Sequence, residues 1–110
     1  PHASILDIGC GNGKPIGEYL QSQGLNVHGI DISEKLLNYT KEILATDHIF
    51  CGDFRTITID KTFDSIICWF MLFHLHETEH DIALRKMHAM LNNNGLLCIT
   101  FADTSTKPGE

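Results

Sequence analysis

No stretch of this sequence stays apolar for the roughly 18 residues that a membrane helix needs. No basic start leads into an apolar segment as in a signal peptide. Basic residues are few: 8 Lys and Arg stand against 14 Asp and Glu, for a formal net charge of −6. That deficit argues against nucleic acid as a partner, because such binding rests on neutralising phosphates with Lys and Arg. A membrane partner is not expected either. The four cysteines, Cys10, Cys51, Cys68 and Cys98, lie far apart and form no C-x-x-C pair. They are expected to be reduced, small hydrophobic residues of a cytoplasmic protein. Internal repeats, low-complexity segments and interdomain linkers are also missing. The Asn38-Tyr39-Thr40 sequon carries no weight without a secretion signal.

The 110 residues suffice for one domain, and 43% hydrophobic with 20% charged residues is the balance of a globular chain. Pro1 stands where a Met would be, and a buried strand begins within a few residues of it. The polar stretch from Asp103 to Glu110 reads as a loop. The chain is therefore expected to be the core of a longer protein, truncated at both ends.

Apolar runs of strand length alternate with helical stretches, the pattern of a parallel α/β sheet. Strands are expected at Ser4–Ile8, Asn26–Ile30, His48–Cys51, Phe63–Phe70 and Leu96–Ala102. The fourth is apolar on both faces and belongs inside the sheet. The first helix is expected over Lys14–Gln23, with Pro15 in its first turn and Gly24 as its stop. The second runs from Ser33, an N-cap, to Ala45, with Leu36, Leu37, Thr40, Ile43 and Leu44 on one face. The third runs from Thr78 to Leu91. Thr78 and Asp81 have capping-box spacing, and Ala83, Met87, Met90 and Leu91 form a buried stripe. The two methionines read as core filler. Asn92 to Gly95 is expected to be a turn, and Asp53–Thr62 an irregular connection in which Thr56–Ile59 has room for an extended piece. Right-handed crossovers then give the strand order 3-2-1-4-5 in a Rossmann-like parallel sheet with helices on both faces. Ligands of such sheets bind at the carboxyl ends of the strands, where the chain direction switches. The glycine turn after the first strand, Asp31, Asp53 and the segment from Cys68 to His74 all fall on that edge.

The densest signal is Asp7-Ile8-Gly9-Cys10-Gly11-Asn12-Gly13, with Asp31 at the end of the next apolar run. A buried strand breaks into a glycine-rich turn, a helix begins, and an acid follows where a ribose would need a hydrogen-bond acceptor. The glycine spacing is not that of a dinucleotide fingerprint, since Lys14 stands where the third glycine of that motif would fall. No G-K-[ST] is present, which excludes a P-loop. Asp7, two residues before the first glycine, suits a cationic ligand group and gives a pyrophosphate nothing. Glycines at a strand-to-helix turn can also serve tight packing alone, and Asp31 or Asp53 can be turn and loop residues.

At this point the sequence resembles the class I S-adenosylmethionine-dependent methyltransferases of the small-molecule type. Leu6 to Gly13 is similar to their first motif, and Gly29-Ile30-Asp31-Ile32-Ser33 to their second. Phe50-Cys51-Gly52-Asp53-Phe54 looks like the adenine-contacting segment. Phe63 to Phe70, with Leu72-Phe73-His74-Leu75 after it, looks like the fourth motif. Asn93-Asn94-Gly95 replaces a Pro-Gly-Gly turn that is common in the family. The resemblance implies a set of roles. The backbone of Gly9, Cys10, Gly11, Asn12 and Gly13 lies under the methionine part of the cofactor, with Asp7 near its ammonium. Asp31 takes both ribose hydroxyls, and Ile32 packs on the adenine. Asp53, after Gly52, takes the adenine amino group with Phe54 beside it. The backbone of Cys68, with Trp69 and Phe70, closes the methionine side; both aromatics can equally be core. The sulfonium is already activated, so catalysis is mainly in-line positioning of a small-molecule methyl acceptor. His74 is the candidate general base where the acceptor must lose a proton, its alternative being a helix-capping histidine.

His76-Glu77-Thr78-Glu79-His80 also fits the H-E-x-x-H zinc-hydrolase pattern. The further ligands of that chemistry are lacking, and Thr78 as a cap would leave His76 outside the helix, so no metal is expected. His2, His28, His48 and His88 show no organised spacing and read as surface or edge residues. An alternative from another class is a non-catalytic module that binds S-adenosylmethionine or a partner without transferring a methyl group. Members of the resembled family carry a sixth and a seventh strand, which are not expected within these 110 residues. The fifth strand would then be an exposed apolar edge, and homodimerisation through it, or loss of solubility on heating, is expected.

Overall fold

A computed structural model describes residues 3–68 and 77–100, apart from the side chains of 77 and 78. The strands are β1 (Ser4–Ile8), β2 (Asn26–Asp31), β3 (Ile49–Cys51), β4 (Phe63–Cys68) and β5 (Leu91–Ile99). The helices are α1 (Ile16–Ser22), α2 (Glu34–Thr40) and α3 (Glu77–Ala89), with a 3₁₀ turn at Thr46–His48. Every strand pair is parallel, and the order is β3-β2-β1-β4-β5, as the pattern of elements predicts. No helix among the described residues is long and apolar enough to cross a membrane.

Side chains alternate across a strand, and β1 shows the consequence. Leu6 and Ile8 join Ile30, Phe63, Ile66 and Cys68 in a core closed by Ala83 and Met87 of α3 and by Met90 just after it. Ile5 and Asp7 point the other way, toward the side of α1 and α2. There the backbone comes close: a side chain at Gly29 would meet the Cys10 Sγ at 2.7 Å, so β2 needs glycine where the turn after β1 crosses it. Helix α1 ends in a Schellman arrangement, with Gly24 at φ +84, its N–H on the Gln21 carbonyl and the Leu25 N–H on the Leu20 carbonyl. Ser33 caps α2, its Oγ accepting from the Leu36 N–H at 3.2 Å.

Several elements differ from the expectations. Helix α1 starts at Ile16, with Pro15 as its N-cap residue. Helix α2 stops at Thr40, and Leu36 is 40% exposed while Leu37, Thr40 and Leu44 are buried. Helix α3 already contains Glu77, so Thr78 is not its cap; Asp81 instead pairs with Arg85 one turn on. Met87 and Met90 are core, but Leu91 leaves the helix to pair with Phe63, because the Met90 carbonyl accepts the Phe63 N–H at 2.8 Å. Asn92 to Gly95 is not a turn before a strand but a bulge within β5. The register jumps from Phe63–Leu91 to Ser65–Leu96, and Asn94 takes φ +65. Asn92 and Ser4 both donate to the Asp64 carboxylate, which ties β5 and β1 to β4. Residues 53–56 form a turn, and no strand occurs at Thr56–Ile59. None of the four cysteines is in a disulfide, and Cys10 and Cys68 are buried while Cys51 and Cys98 are exposed.

His28 is not a surface residue. It is 6% exposed, stacks on His48 with ring centroids 3.9 Å apart and meets Phe63 edge-on. Burial, then His48, lowers its pKa to about 4, so it stays neutral near pH 7. Trp69, Phe70, His74, His76, His2 and the polar tail lie outside the described residues.

Candidate functional site

The site is assembled where β1 ends. Gly9, Gly11 and Gly13 all lie in the left-handed region, at φ +76, +58 and +84, which L side chains rarely adopt. The Gly9 and Cys10 N–H groups both donate to the Ile30 carbonyl, at 2.8 and 3.1 Å, which folds the turn over β2. The Asn12 Oδ1 accepts the Lys14 N–H at 3.0 Å and leads the chain toward α1. At Gly13 the close neighbours are Ile43 and Thr40, so packing also demands glycine there. At Gly11 an added Cβ would meet nothing within 4 Å. Gly11 therefore has none of the described residues on the side where a Cβ would stand, and a ligand can approach its backbone.

Two residues hold this turn in shape. The Asp31 carboxylate accepts the Gly11 N–H through Oδ2 and the Ser33 N–H through Oδ1, each at 2.8 Å. Those bonds fix its rotamer and leave further lone pairs for a ligand. The buried Thr40 hydroxyl donates to the Gly11 carbonyl at 2.6 Å. Helical spacing shows only that Thr40 faces inward; its bond to Gly11 spans 29 positions and has no local signal in the sequence.

A cleft of about 550 Å³ opens over the turn, lined by Asp7, Gly9, Cys10, Gly11, Asn12, Lys14, Pro15 and Ile16. Asp7 is 4% exposed at its floor. Burial, then the neighbouring Asp31, raises its pKa to about 7. The same two effects, burial first and the acids Asp7 and Asp31 after it, push the Cys10 thiol up to about 12. Cys10 therefore stays protonated and contributes backbone and packing. A buried carboxylate half-ionised near neutral pH is a poor neighbour for an anion and a good one for a cation.

The next strands along the edge bring the other predicted residues close. Asp31 pairs with Cys51, and the Gly52 N–H donates to the Asp31 carbonyl at 3.0 Å. Ile32 is 73% exposed beside Asp31, an apolar side chain available to a flat ligand. Asp53 stands just past β3, its carboxylate gripped by the Arg55 side chain, which holds its pKa below the usual carboxylate range. Phe54 departs from the expectation. Its ring is 3% exposed and belongs to the core, with the Lys86 ammonium 5.0 Å from its centroid, so only its backbone remains at the site. Cys68 is fully buried at the end of β4, and its carbonyl accepts the Thr100 N–H at 3.2 Å. The ion pairs of Arg55 with Glu79 and the bonds of Lys86 to the 53–57 loop are further features that spacing did not single out. Among the described residues no cluster of three or more His, Cys, Asp or Glu side chains is arranged to hold a metal ion. The H-E-x-x-H segment is only partly described, and α3 reaches back to the residue after His76, so a Thr78 cap no longer separates the two histidines.

Comparison with known proteins gives a consistent picture. A family described as a methyltransferase domain matches residues 5–95. An uncharacterized methyltransferase of Alkaliphilus oremlandii is 36% identical over 105 residues, covering 96% of this chain and 47% of that protein. One from Bacillus mycoides is 32% identical over 102 residues, covering 92% and 47%. Among solved structures, a TehB-like SAM-dependent methyltransferase from Corynebacterium glutamicum superposes with a TM-score of 0.79 at 34% identity, covering 94% of this chain and 58% of that one. A SAM-bound amino pentose methyltransferase from Micromonospora echinaspora gives 0.75 at 28% identity, covering 89% and 42%. The chain thus spans about half the length of the curated relatives it matches.

Proposed function

Because the chain belongs to the methyltransferase-domain family, we propose that it binds S-adenosylmethionine over the Gly9–Gly13 turn and serves methyl transfer to a small-molecule acceptor. The observation that carries this reading is the cleft itself. Three left-handed glycines, an open side at Gly11, a buried acid and a fixed acceptor at Asp31 meet at one sheet edge.

The donor set fits the cofactor. Asp7 offers an ammonium group the counter-charge that its pocket lacks, and Asp31 keeps lone pairs for vicinal hydroxyls while it holds Gly11 and Ser33. Ile32 supplies apolar cover beside Asp31, and Asp53 supplies an acceptor at the end of β3. When bound, S-adenosylmethionine supplies a methyl group on a sulfonium, already activated toward nucleophiles. What remains for the protein is orientation and exclusion of water, and well-oriented pairs gain roughly 7–11 kcal/mol in this way. His74 is proposed as the base for acceptors that must lose a proton, and Trp69 and Phe70 as walls of the methionine side.

A small-molecule acceptor is supported by the excess of acidic residues. It is also supported by the descriptions of two solved relatives: one at 28% identity acts on an amino pentose, one at 26% on magnesium protoporphyrin IX. Self-association through β5 belongs to the same reading, since Leu96 is 72% and Leu97 38% exposed on that edge strand.

The test is transfer of labelled methyl groups from S-adenosylmethionine to a panel of small amines, alcohols, thiols and porphyrins by the full-length protein. Product with at least one acceptor is expected, with His74→Ala slowed about 10²–10⁴-fold when proton removal accompanies attack. Cofactor binding without transfer to any acceptor would favour the non-catalytic alternative.

A further inference from the structure

β3 stands at one edge of the sheet and pairs with β2 over only three residues, Ile49 to Cys51. Two imidazoles meet where that seam begins. His28 lies on β2 just before Gly29, which is opposite Ile49. His48 ends the 3₁₀ turn that leads into β3. The His48 Nδ1 donates to the Val27 carbonyl at 3.2 Å, and its ring lies on the His28 ring at an interplanar angle of 22° with centroids 3.9 Å apart. The Phe50 ring of β3 is nearly parallel to His28 at 6.4 Å, and Phe63 of β4 meets it edge-on at 5.1 Å. The buried His28 ring therefore joins an inner strand to the edge: Phe63 belongs to β4, whereas His48 and Phe50 belong to the turn and β3.

A proton on His28 would place a cation among these rings, with little water to solvate it. Burial opposes the charged form most, then His48 of the turn and Lys61, two residues before β4. The Asn26 backbone of β2 and Asp47 of the turn favour the charged form and are outweighed. These are the groups that act on His28 among the described residues. A base held neutral by its site takes up protons more readily in any state that returns it to water. The edge offers the least costly such state. Lifting the turn and three strand residues hydrates His28 while β1, β2 and β4 stay paired, the kind of local opening that edges and short elements undergo.

We propose that the His28–His48 stack is an acid-sensitive latch, and that protonation of His28 releases the segment from Thr46 to Cys51 from β2 while the inner strands remain paired. The released segment leads directly into the candidate site: Cys51 pairs with Asp31, and the Gly52 N–H donates to the Asp31 carbonyl at 3.0 Å. Acid thus loosens the β3 side of the Asp31 edge without unfolding the sheet. The sign is defined. An imidazole that titrates at 6.5 in water and at about 4 in the closed site holds the latch fully above pH 6.5 and loses it progressively down to pH 4. Between pH 7 and pH 5 the opening equilibrium grows about 20-fold. Asp7 acts in the opposite direction, since its raised pKa favours the folded protein as pH falls.

The experiment is amide hydrogen exchange of the full-length protein without ligand, read residue by residue by NMR at pH 7, 6 and 5, with each rate divided by its intrinsic rate at that pH. The reporters are the His48 N–H, which donates to the Ala45 carbonyl, and the Gly52 N–H on Asp31. The references are Leu6 and Ile8 of β1, which is paired on both sides. Wild type is expected to lose about 20-fold of the reporters' protection relative to the references from pH 7 to pH 5. His28→Phe keeps a ring that takes no proton, and its relative protection should stay within about threefold over the same range. His28→Leu, a smaller neutral side chain, should give the same flat profile and serves where the larger ring strains the site. A flat wild-type profile overturns the latch. So does a wild type in which β1 loses protection in step with the reporters, because the response is then global. A folded neutral variant that still loses about 20-fold overturns the role of His28 and the proposal with it.

Discussion

Asp7 makes cofactor affinity depend on pH in a direction that can be worked out. Its carboxyl titrates at about 7 in the free protein, burial being the larger cause and Asp31 the smaller. Among the described residues the groups that face it are Asp31 and the Cys10 thiol, and the thiol, raised to about 12, does not ionise in the working range. If the ionised form is the one that receives an ammonium, affinity is reduced by the fraction of Asp7 that is protonated. Between pH 8 and pH 6 that fraction grows from about a tenth to about nine-tenths, so binding should weaken roughly tenfold. The same shift acts on the free protein with a defined sign. An acid whose folded pKa lies above its unfolded value binds more protons when folded, so stability falls as pH rises from about 4 to about 7. The full cost above pH 7 is on the order of 4 kcal/mol, from a rise of 3.8 to about 7. Asp7→Asn keeps the neutral shape, so it should melt above wild type at pH 8, with the gap closing as pH falls toward 4. Titration calorimetry with S-adenosylhomocysteine at pH 6, 7 and 8, and thermal melts over the same range, read both effects. A flat wild-type binding profile, or a melting gap between Asp7→Asn and wild type that ignores pH, would refute the reasoning.

Other perturbations separate fold from site. Gly11→Ala should cost only about 1–2 kcal/mol of stability, the penalty of a left-handed backbone, because its Cβ meets no protein; cofactor binding should nevertheless drop sharply, and melting with calorimetry on one sample tells the two apart. Thr40→Val removes the donor to the Gly11 carbonyl and should lower stability by about 1–3 kcal/mol, with a weaker cofactor site by the same calorimetry. Leu96→Lys should abolish concentration-dependent dimerisation in sedimentation, since it charges the most exposed apolar residue of the β5 edge; a wild type that stays monomeric at all concentrations would remove that reading.

What was legible in the sequence was what is local. The order of five parallel strands follows from apolar runs separated by helices, and the Ser33 cap and Gly24 stop follow from single residues beside their helices. The glycine turn was legible for the same reason, since three glycines in alternation announce a backbone that turns left-handed. Asp31 was singled out by its offset, although its grip on Gly11 and Ser33 was not legible. The misses depend on partners distant in sequence. Phe54 looked like a ligand contact because it follows Asp53, but α3 offers its ring a core. His28 looked like an edge residue, yet β2 carries it inside against His48 and Phe63. The bulge at Asn92 to Gly95 is set by pairing with β4, which no window of sequence contains.

The central claim is that the cleft over Gly9–Gly13 takes S-adenosylmethionine by its ammonium and ribose. Isothermal titration of the full-length protein with S-adenosylmethionine, S-adenosylhomocysteine and NAD, repeated on Asp31→Ala, tests it most directly. The account predicts binding of the first two and not of NAD, weakened at least ~10-fold in Asp31→Ala by the loss of charge-assisted hydrogen bonds. A folded wild type that binds neither, or an Asp31→Ala variant that binds them as well as wild type, would contradict it.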